Sequence, residues 1–554
     1  MMKLKGGYTE EMRKSIDNVN KTRSKRIGEV FDHMTMKERD DVLKNYHPDY
    51  KADGKRAIAY GENKSDIVPV EVADILESYP IFNPDDIDLS QIDYDVSILI
   101  IGGGGAGTSA AIWANYSGVP VDEILVSNKL RHGDANTVMA QGGIQIADRP
   151  EDSPLIHYLD AVGGGHFDNI PELAKALVND APDILRWHKD LGVMYDLDED
   201  GNFMVLSGGG TSRSRMHSAK DYTGLEIFRV IRDEFRGLDI PSLEFTPAIE
   251  LLTDETGRVA GAVLYHLETK QYFVVKAKTT IMSTGGFGRL HVSGFPTTNH
   301  YGATMDGVLM SYRAGAKLRN LESTQFHPTG AAYPEQIVGL LITEKVRGLG
   351  AQVLGNNGEQ ICYPLEPRDV EASAVIKCCT STENFIETPT GMRGVWLDSP
   401  LIEEIRGKGT IVNNLSAMDR MFQRFGIDLT VDPILIYPSL HYQNGGVLHD
   451  ELCHSSVSGL LIAGEVSGGV HGKNRLMGNS LLEINVFGRR AGIEAAKEIK
   501  NAKPGKLSLD HIKKSISVID SLGLKKKRYG PMILPEYRSD IVRDRLVQLY
   551  ESTD

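Results

Sequence analysis

The stretch "YDVSILIIGGGGAGTSAAIWANYSG" (residues 94–118) constrains this chain more than any other. An apolar run rich in β-branched residues, a glycine cluster and an alanine-rich segment read as strand, tight turn and helix. Gly102, Gly104 and Gly107 fall at G-x-G-x-x-G spacing. In that context the glycines allow a tight turn and close main-chain approach. The N-terminus of the helix then presents unpaired N–H groups and a positive dipole end to a pyrophosphate. "VDEILVSN" (121–128) follows as a second parallel strand.

The acid that a nicotinamide dinucleotide site carries about 20 residues beyond the glycines is absent: the strand ends in Ser127, with Lys129 close by. Farther on, "GRVAGAVLYHLETKQYFVVKAKTTIMSTGGFGR" (257–289) alternates as a small antiparallel meander running into a buried strand and glycines, and "GLLIAGE" (459–465) is another short strand into glycine. Strands opening onto glycine turns at both ends of the chain predict an α/β, Rossmann-like nucleotide domain (93–326 and 441–498) interrupted by an inserted α+β capping domain (327–440). Residues 1–92, charged and ending in an acid-rich connector, read as a partly helical extension, and 499–554 as a short C-terminal helical tail. In "GEVSGGVHGKNRLMGNSLLE" (464–483) five glycines crowd around Arg475, a backbone shaped against a flat ligand with one cation aimed at an anion.

The formal charge of −14 argues against nucleic-acid binding. No apolar run reaches the roughly 20 residues of a membrane span, and the N-terminus lacks a secretory h-region. Cys362, Cys378, Cys379 and Cys453 form no C-x-x-C, so neither zinc nor an iron–sulfur cluster is expected within this chain. Reduced thiols in the cytoplasm are expected, with the chain alone or peripheral to a membrane complex. The basic run 525–528 reads as a solvated surface segment.

Together "IIGGGGAG", "AQGGI" (140–144), "STGGFGR" (283–289), "QFHPTG" (325–330), "TEKVRGLGA" (343–351), "PRDVEASAV" (367–375), "HYQNGG" (441–446) and the Arg475 stretch resemble, in order, the succinate dehydrogenase/fumarate reductase flavoprotein family, which includes L-aspartate oxidase. The resemblance implies FAD, contacted by Gly102, Gly104, Gly107, Ser127, Lys129, Gly142, Gly143, Asp306, Glu465, Ser480 and Leu481. Two departures stand out. Asn136 occupies the position where many respiratory members carry the histidine bonded to the flavin, so FAD is expected to be non-covalent. Met305 precedes Asp306 where the family has glycine.

The resemblance also implies a C4 dicarboxylate substrate, fumarate or succinate, with Arg475 and His441 on one carboxylate and His327 with Thr343 on the other. Such a dianion needs fixed cations or strong donors in a dry pocket. Arg368 corresponds to the family's proton donor and Glu344 with Arg347 to its relay. An arginine, whose reference pKa exceeds about 12, serves as an acid only if it is recharged. Glu344 and Arg347, three residues apart, would share one side of a helical turn. L-aspartate oxidation stays open, favoured by the long spacer between "FHPTG" and "TEKVRG" and by "TSRSRMHSAKDYTG" (211–224). So does an electron-relay role within a larger redox complex. An iron–sulfur or other electron-transfer subunit is the expected partner, with residues 1–92 as its docking surface.

Overall fold

Strand Tyr94–Ile101 is buried from Ser97 onward, as a parallel strand covered on both faces requires. It pairs in parallel with Ile124–Ser127 on one side and Tyr272–Met282 on the other, and Ser242–Leu243 continues the parallel order beyond Ile124–Ser127. The computed structural model describes residues 7–29, 31–524 and 526–551. On the edge away from Tyr94–Ile101, strand Tyr272–Met282 serves two neighbours. Its first half closes the expected meander with Val259–Tyr265 and Ala248–Thr253, and its last three residues take Leu460–Ile462 in parallel. The chain therefore leaves this seven-stranded sheet after Met282 and returns at Leu460.

Helices Gly105–Tyr116 and Asn479–Glu498 lie against each other and share one core with Ile98, Ile100, Ile281 and Leu461. They touch backbone to backbone: a Cβ on Gly492 would stand 2.3 Å from the Ala110 carbonyl oxygen. Between the two passages a second sheet forms, ordered Thr324–Ala331, Ile434–Gln443, Arg393–Leu397 and Val353–Leu354. Helix Arg368–Ser381 starts directly after Pro367, whose ring disfavours an earlier start, and packs on this sheet.

Residues 7–92 form a partly helical strap that packs along the rest of the molecule. Helix Glu10–Arg26, capped by Thr9, places Met12, Ile16 and Val19 on one buried face. Trp396 Nε1 donates to Ser15 at 2.8 Å. Arg23 and Arg26 both close on the buried Asp398 at 2.7 Å, Arg13 on Asp432 at 2.6 Å and Arg39 on Glu366 at 2.8 Å. Helix Met36–Tyr46 opens with a Thr35–Glu38 capping box and packs Val42 and Leu43 on Val370. The same segment grips the other side of the molecule: Asp49 accepts from Thr324 N–H at 2.8 Å and Glu71 from Ser293 N–H at 3.0 Å. An amphipathic helix buries its apolar face wherever one is offered, and the charges along its edges then find partners at short range.

The two ends of the chain also meet. Tyr79–Pro80 pairs in parallel with Tyr529–Gly530, and helix Ser539–Glu551 brings Tyr550 to accept the Arg393 N–H at 2.8 Å. Of the basic run 525–528, Lys525 lies outside the described residues, Lys527 sits over the Tyr79 ring and Arg528 pairs with Asp74. Among the described residues no helix is long and apolar enough to cross a membrane.

Candidate active site

A long cleft begins at the glycine turn and runs between the two passages of the seven-stranded sheet, lined by Gly102, Gly104, Ser127, Lys129, Asn136, Asp306, Glu465, Ser480 and Leu481 among others. Gly102 has φ +105°, and a Cβ on Gly107 would fall 1.9 Å from the Gly102 carbonyl oxygen, so the turn and the helix behind it require glycine at both positions. Gly105 N–H is already bonded to Thr137 Oγ1 at 3.0 Å. The Ser127 hydroxyl lies on the wall but donates to the Thr246 carbonyl at 2.6 Å. Lys129 Nζ is likewise occupied, by Gly302 O at 2.9 Å, Thr304 Oγ1 at 2.7 Å and the Asp306 carboxylate. These two positions therefore shape the wall through other residues as much as by their own polar atoms.

Met305 holds φ +69° at the start of helix Asp306–Arg313, the left-handed conformation that glycine adopts without strain. The cost, about 1–2 kcal/mol, is offset by about 1.5–3 kcal/mol from its fully buried side chain. Asn136 is fixed at both ends of its amide, donating to Glu465 Oε2 at 3.1 Å and accepting from His300 N–H at 2.6 Å. Burial pushes Glu465 up to about 7.

A small pocket adjoins the cleft and shares Ala140, Leu341, His441, Ser480 and Leu481 with it. Its lining brings together His327, Thr343, Glu344, Arg368, His441 and Arg475, with Gly142 and Gly143 on this side and not on the long cleft. Gly143 has φ +144°. Arg347 stands behind the pocket wall: its guanidinium reaches Glu344 at 3.3 Å, and Arg368 Nε donates to the same carboxylate at 2.8 Å. The expected pairing of Glu344 and Arg347 on one helical turn is present.

Three positions that pattern alone did not single out complete the arrangement. Gln325 Oε1 accepts from both Arg368 and Arg475, at 2.9 Å each, while its Nε2 donates to Asn474 Oδ1 and the Arg475 carbonyl. Thr298 Oγ1 meets His441 Nδ1 at 2.7 Å. The Tyr442 ring lies 4.4 Å beneath the Arg475 guanidinium and its hydroxyl donates to Glu483. Gln325 and Tyr442 lie inside quoted motifs, so position was available as a signal although role was not.

Burial and then Arg368 hold His327 and His441 well below the usual imidazole range, so both are neutral. His327 Nδ1 accepts from the Thr329 N–H at 3.2 Å, which leaves the proton on Nε2. Burial works against the charge on Glu344, but Arg368, Arg347 and the Gly209 N–H outweigh it and bring the carboxyl down to about 2. Burial lowers Arg368, and burial with the Arg368 charge lowers Arg475 to about 10. Arg475 Nε is buried without a partner. The pocket is thus a dry, electropositive space in which neutral imidazoles and two guanidiniums converge, suited to a small polyanion.

Residues 97–481 match a family described as FAD binding domain. Over 409 residues the chain is 37% identical to a fumarate reductase (CoM/CoB) subunit of Methanothermobacter marburgensis, covering 73% of each. The chain belongs to the succinate dehydrogenase/fumarate reductase flavoprotein family. It is an FAD-dependent oxidoreductase of that type. It is also 32% identical to an L-aspartate oxidase of Streptomyces coelicolor over 414 residues, covering 72% of this chain and 68% of the relative. Among solved structures it resembles E. coli quinol fumarate reductase FrdA, with a TM-score of 0.69 at 27% identity over 78% of this chain and 74% of the other. Mycobacterium smegmatis Sdh1 gives 0.64 at 31% identity over 82% and 76%.

Proposed function

We propose that this chain is the catalytic flavoprotein of a fumarate reductase/succinate dehydrogenase-type enzyme acting on an unsubstituted C4 dicarboxylate. One observation carries the choice of substrate. Among the residues lining the small pocket Glu344 is the only carboxylate, and its oxygens are taken by Arg368, Arg347 and the Gly209 N–H. The α-ammonium of aspartate finds no counter-anion there, whereas two carboxylates meet Arg475 with His441 and His327 with Thr343. The L-aspartate oxidase relatives favour the second reading, amino-acid oxidation, and the experiment below separates the two.

The cleft fits FAD. Its glycine turn admits close backbone approach, and Thr284 Oγ1 on its wall is buried without a partner. When bound there FAD supplies the hydride. Gly102 and Gly104 would hold the pyrophosphate, Gly107 being packed behind the turn and off the cleft wall, contrary to the expected contact; Glu465 would meet the ribityl or ribose hydroxyls, and the helix at Ser480–Leu481 the pyrimidine edge. Asn136, an amide bonded to Glu465 and His300, cannot form the covalent link, so the cofactor is held by these contacts alone.

The chain's own residues do the rest. Arg475 and His441 orient one carboxylate and His327 Nε2–H with Thr343 the other. The buried guanidiniums stabilise charge that builds on the substrate. Arg368 delivers a proton to the substrate carbon while Glu344 and Arg347 recharge it. The Methanothermobacter relative, named as one subunit among others, supports an electron-transfer partner for this chain as well.

The test is anaerobic. Acid precipitation should release the yellow cofactor into the supernatant. Chemically reduced protein should be reoxidised rapidly by fumarate. Reduction of the oxidised protein by aspartate, with no response to fumarate or succinate, would sink the proposal in favour of the oxidase.

A further inference from the structure

The relay behind Arg368 does not end at Arg347. Arg347 Nη1 donates to Glu371 Oε2, as well as to the Pro364 carbonyl at 2.6 Å. Glu371 lies on the same helix as Arg368, three residues later, and is fully buried. Its second oxygen, Oε1, is buried with no hydrogen-bond partner. Arg368, Glu344, Arg347 and Glu371 thus form one file of alternating guanidinium and carboxyl groups leading away from the pocket.

Building on the function proposed above, we propose that Glu371 is a proton store that recharges Arg347, and through it Arg368, during each turnover. Charge balance favours the protonated form in the working complex. The guanidiniums of Arg368, Arg347 and Arg475 are matched by Glu344 and a dicarboxylate dianion, so a neutral Glu371 leaves the site without excess charge. Burial pushes Glu371 up to about 8 against the pull of Arg347, and the negative Glu344 adds to the rise. The other ionisable groups facing this cluster are Arg368, Glu366 and Cys362. Glu366 is paired in turn with Arg39 and lies 3.4 Å from Nδ1 of the exposed His33.

The transfers balance. As an Arg368 N–H bond breaks and the substrate C–H forms, Arg347 gives a proton to the Glu344 carboxylate, which passes it to Arg368 and is a carboxylate again. The O–H of Glu371 then breaks to restore Arg347, leaving a carboxylate that solvent later reprotonates. Glu371 touches neither substrate nor flavin, so it is a positioning and proton-storing residue and not the acid itself.

The experiment compares the full-length, FAD-loaded protein with its Glu371→Gln and Glu371→Asp variants in fumarate reduction by a reduced viologen dye. Wild-type kcat should fall with rising pH along a limb near pH 8. Glu371→Gln should lose about a hundredfold in kcat, keep KM and show no limb. Glu371→Asp should recover part of the rate together with the limb. An infrared titration of the protein without turnover should show a carboxyl band that titrates near pH 8 and is missing in Glu371→Gln. If Glu371→Gln keeps the limb, whether it turns over normally or only melts earlier, the inference is overturned while the functional proposal stands. If the wild-type protein itself fails to reduce fumarate, the functional proposal falls and this inference with it.

Discussion

Gln325 is the neutral hinge between the two guanidiniums of the pocket, and replacing it by leucine tests whether that hinge sets their geometry. Its Oε1 accepts one bond from Arg368 and one from Arg475, each at 2.9 Å. Hydrogen bonds to charged groups are worth about 1.5–3 kcal/mol each, so about 3–6 kcal/mol of alignment is removed in all. Part is regained, because Arg368 keeps Glu344 at 2.8 Å and Arg475 keeps the Leu476 carbonyl at 3.2 Å. With half expressed at the transition state the loss is roughly 2 kcal/mol, about thirtyfold in kcat/KM. Gln325→Glu separates alignment from charge. It should hold both arginines as ion pairs but repel the dianion, so that KM rises more than kcat falls. Stopped-flow reoxidation of the reduced protein by fumarate, beside melting curves as a folding control, reads both variants. A Gln325→Leu protein that folds normally with kcat/KM within about threefold of wild type would refute the reasoning.

Asp398→Asn should free helix Glu10–Arg26, because Arg23 and the buried Arg26 both close on that carboxylate. The expected loss is about 3–5 kcal/mol, read as vanished hydrogen-exchange protection over residues 10–26, and unchanged protection would count against the strap. Burial raises Asp49 from its ordinary 3.8 to about 8, so the folded chain keeps a proton that the unfolded chain releases between those values. Its contribution to stability is complete below the lower value and is lost as pH rises through the upper. Urea midpoints should therefore fall across that window, and Asp49→Asn should flatten the fall.

Much of the flavin-side fold was legible because it rests on strong local signals. A buried parallel strand, a glycine turn and an alanine-rich helix each announce themselves within a few residues, and the meander of 257–289 shows its alternation directly. The pocket residues were legible as a constellation because each sits in its own motif. Glu371 was not: it lies in the helical run "VEASAV", where a single acid reads as helix surface until Arg347 is seen to arrive from another segment. The occupied hydroxyl of Ser127 and ammonium of Lys129 depend on Thr246, Gly302 and Thr304, residues distant in sequence with no pattern to link them. The union of Tyr79–Pro80 with Tyr529–Gly530 involves two residues on each side, too few for any periodicity to register.

The strap has a consequence for how the molecule is made. Arg26 and its partner Asp398 are 372 residues apart in the chain. At about 5–20 residues per second, a ribosome needs about 20 to 70 s to deliver that partner after the helix has emerged. Throughout that interval Met12, Ile16 and Val19 lack the part of their core that Trp396 and its sheet supply, so this helix docks long after it is made. A nascent chain of this protein therefore presents a sticky amphipathic segment until that partner arrives. Any chaperone that keeps such a chain from aggregating has this face to cover until the second sheet is complete.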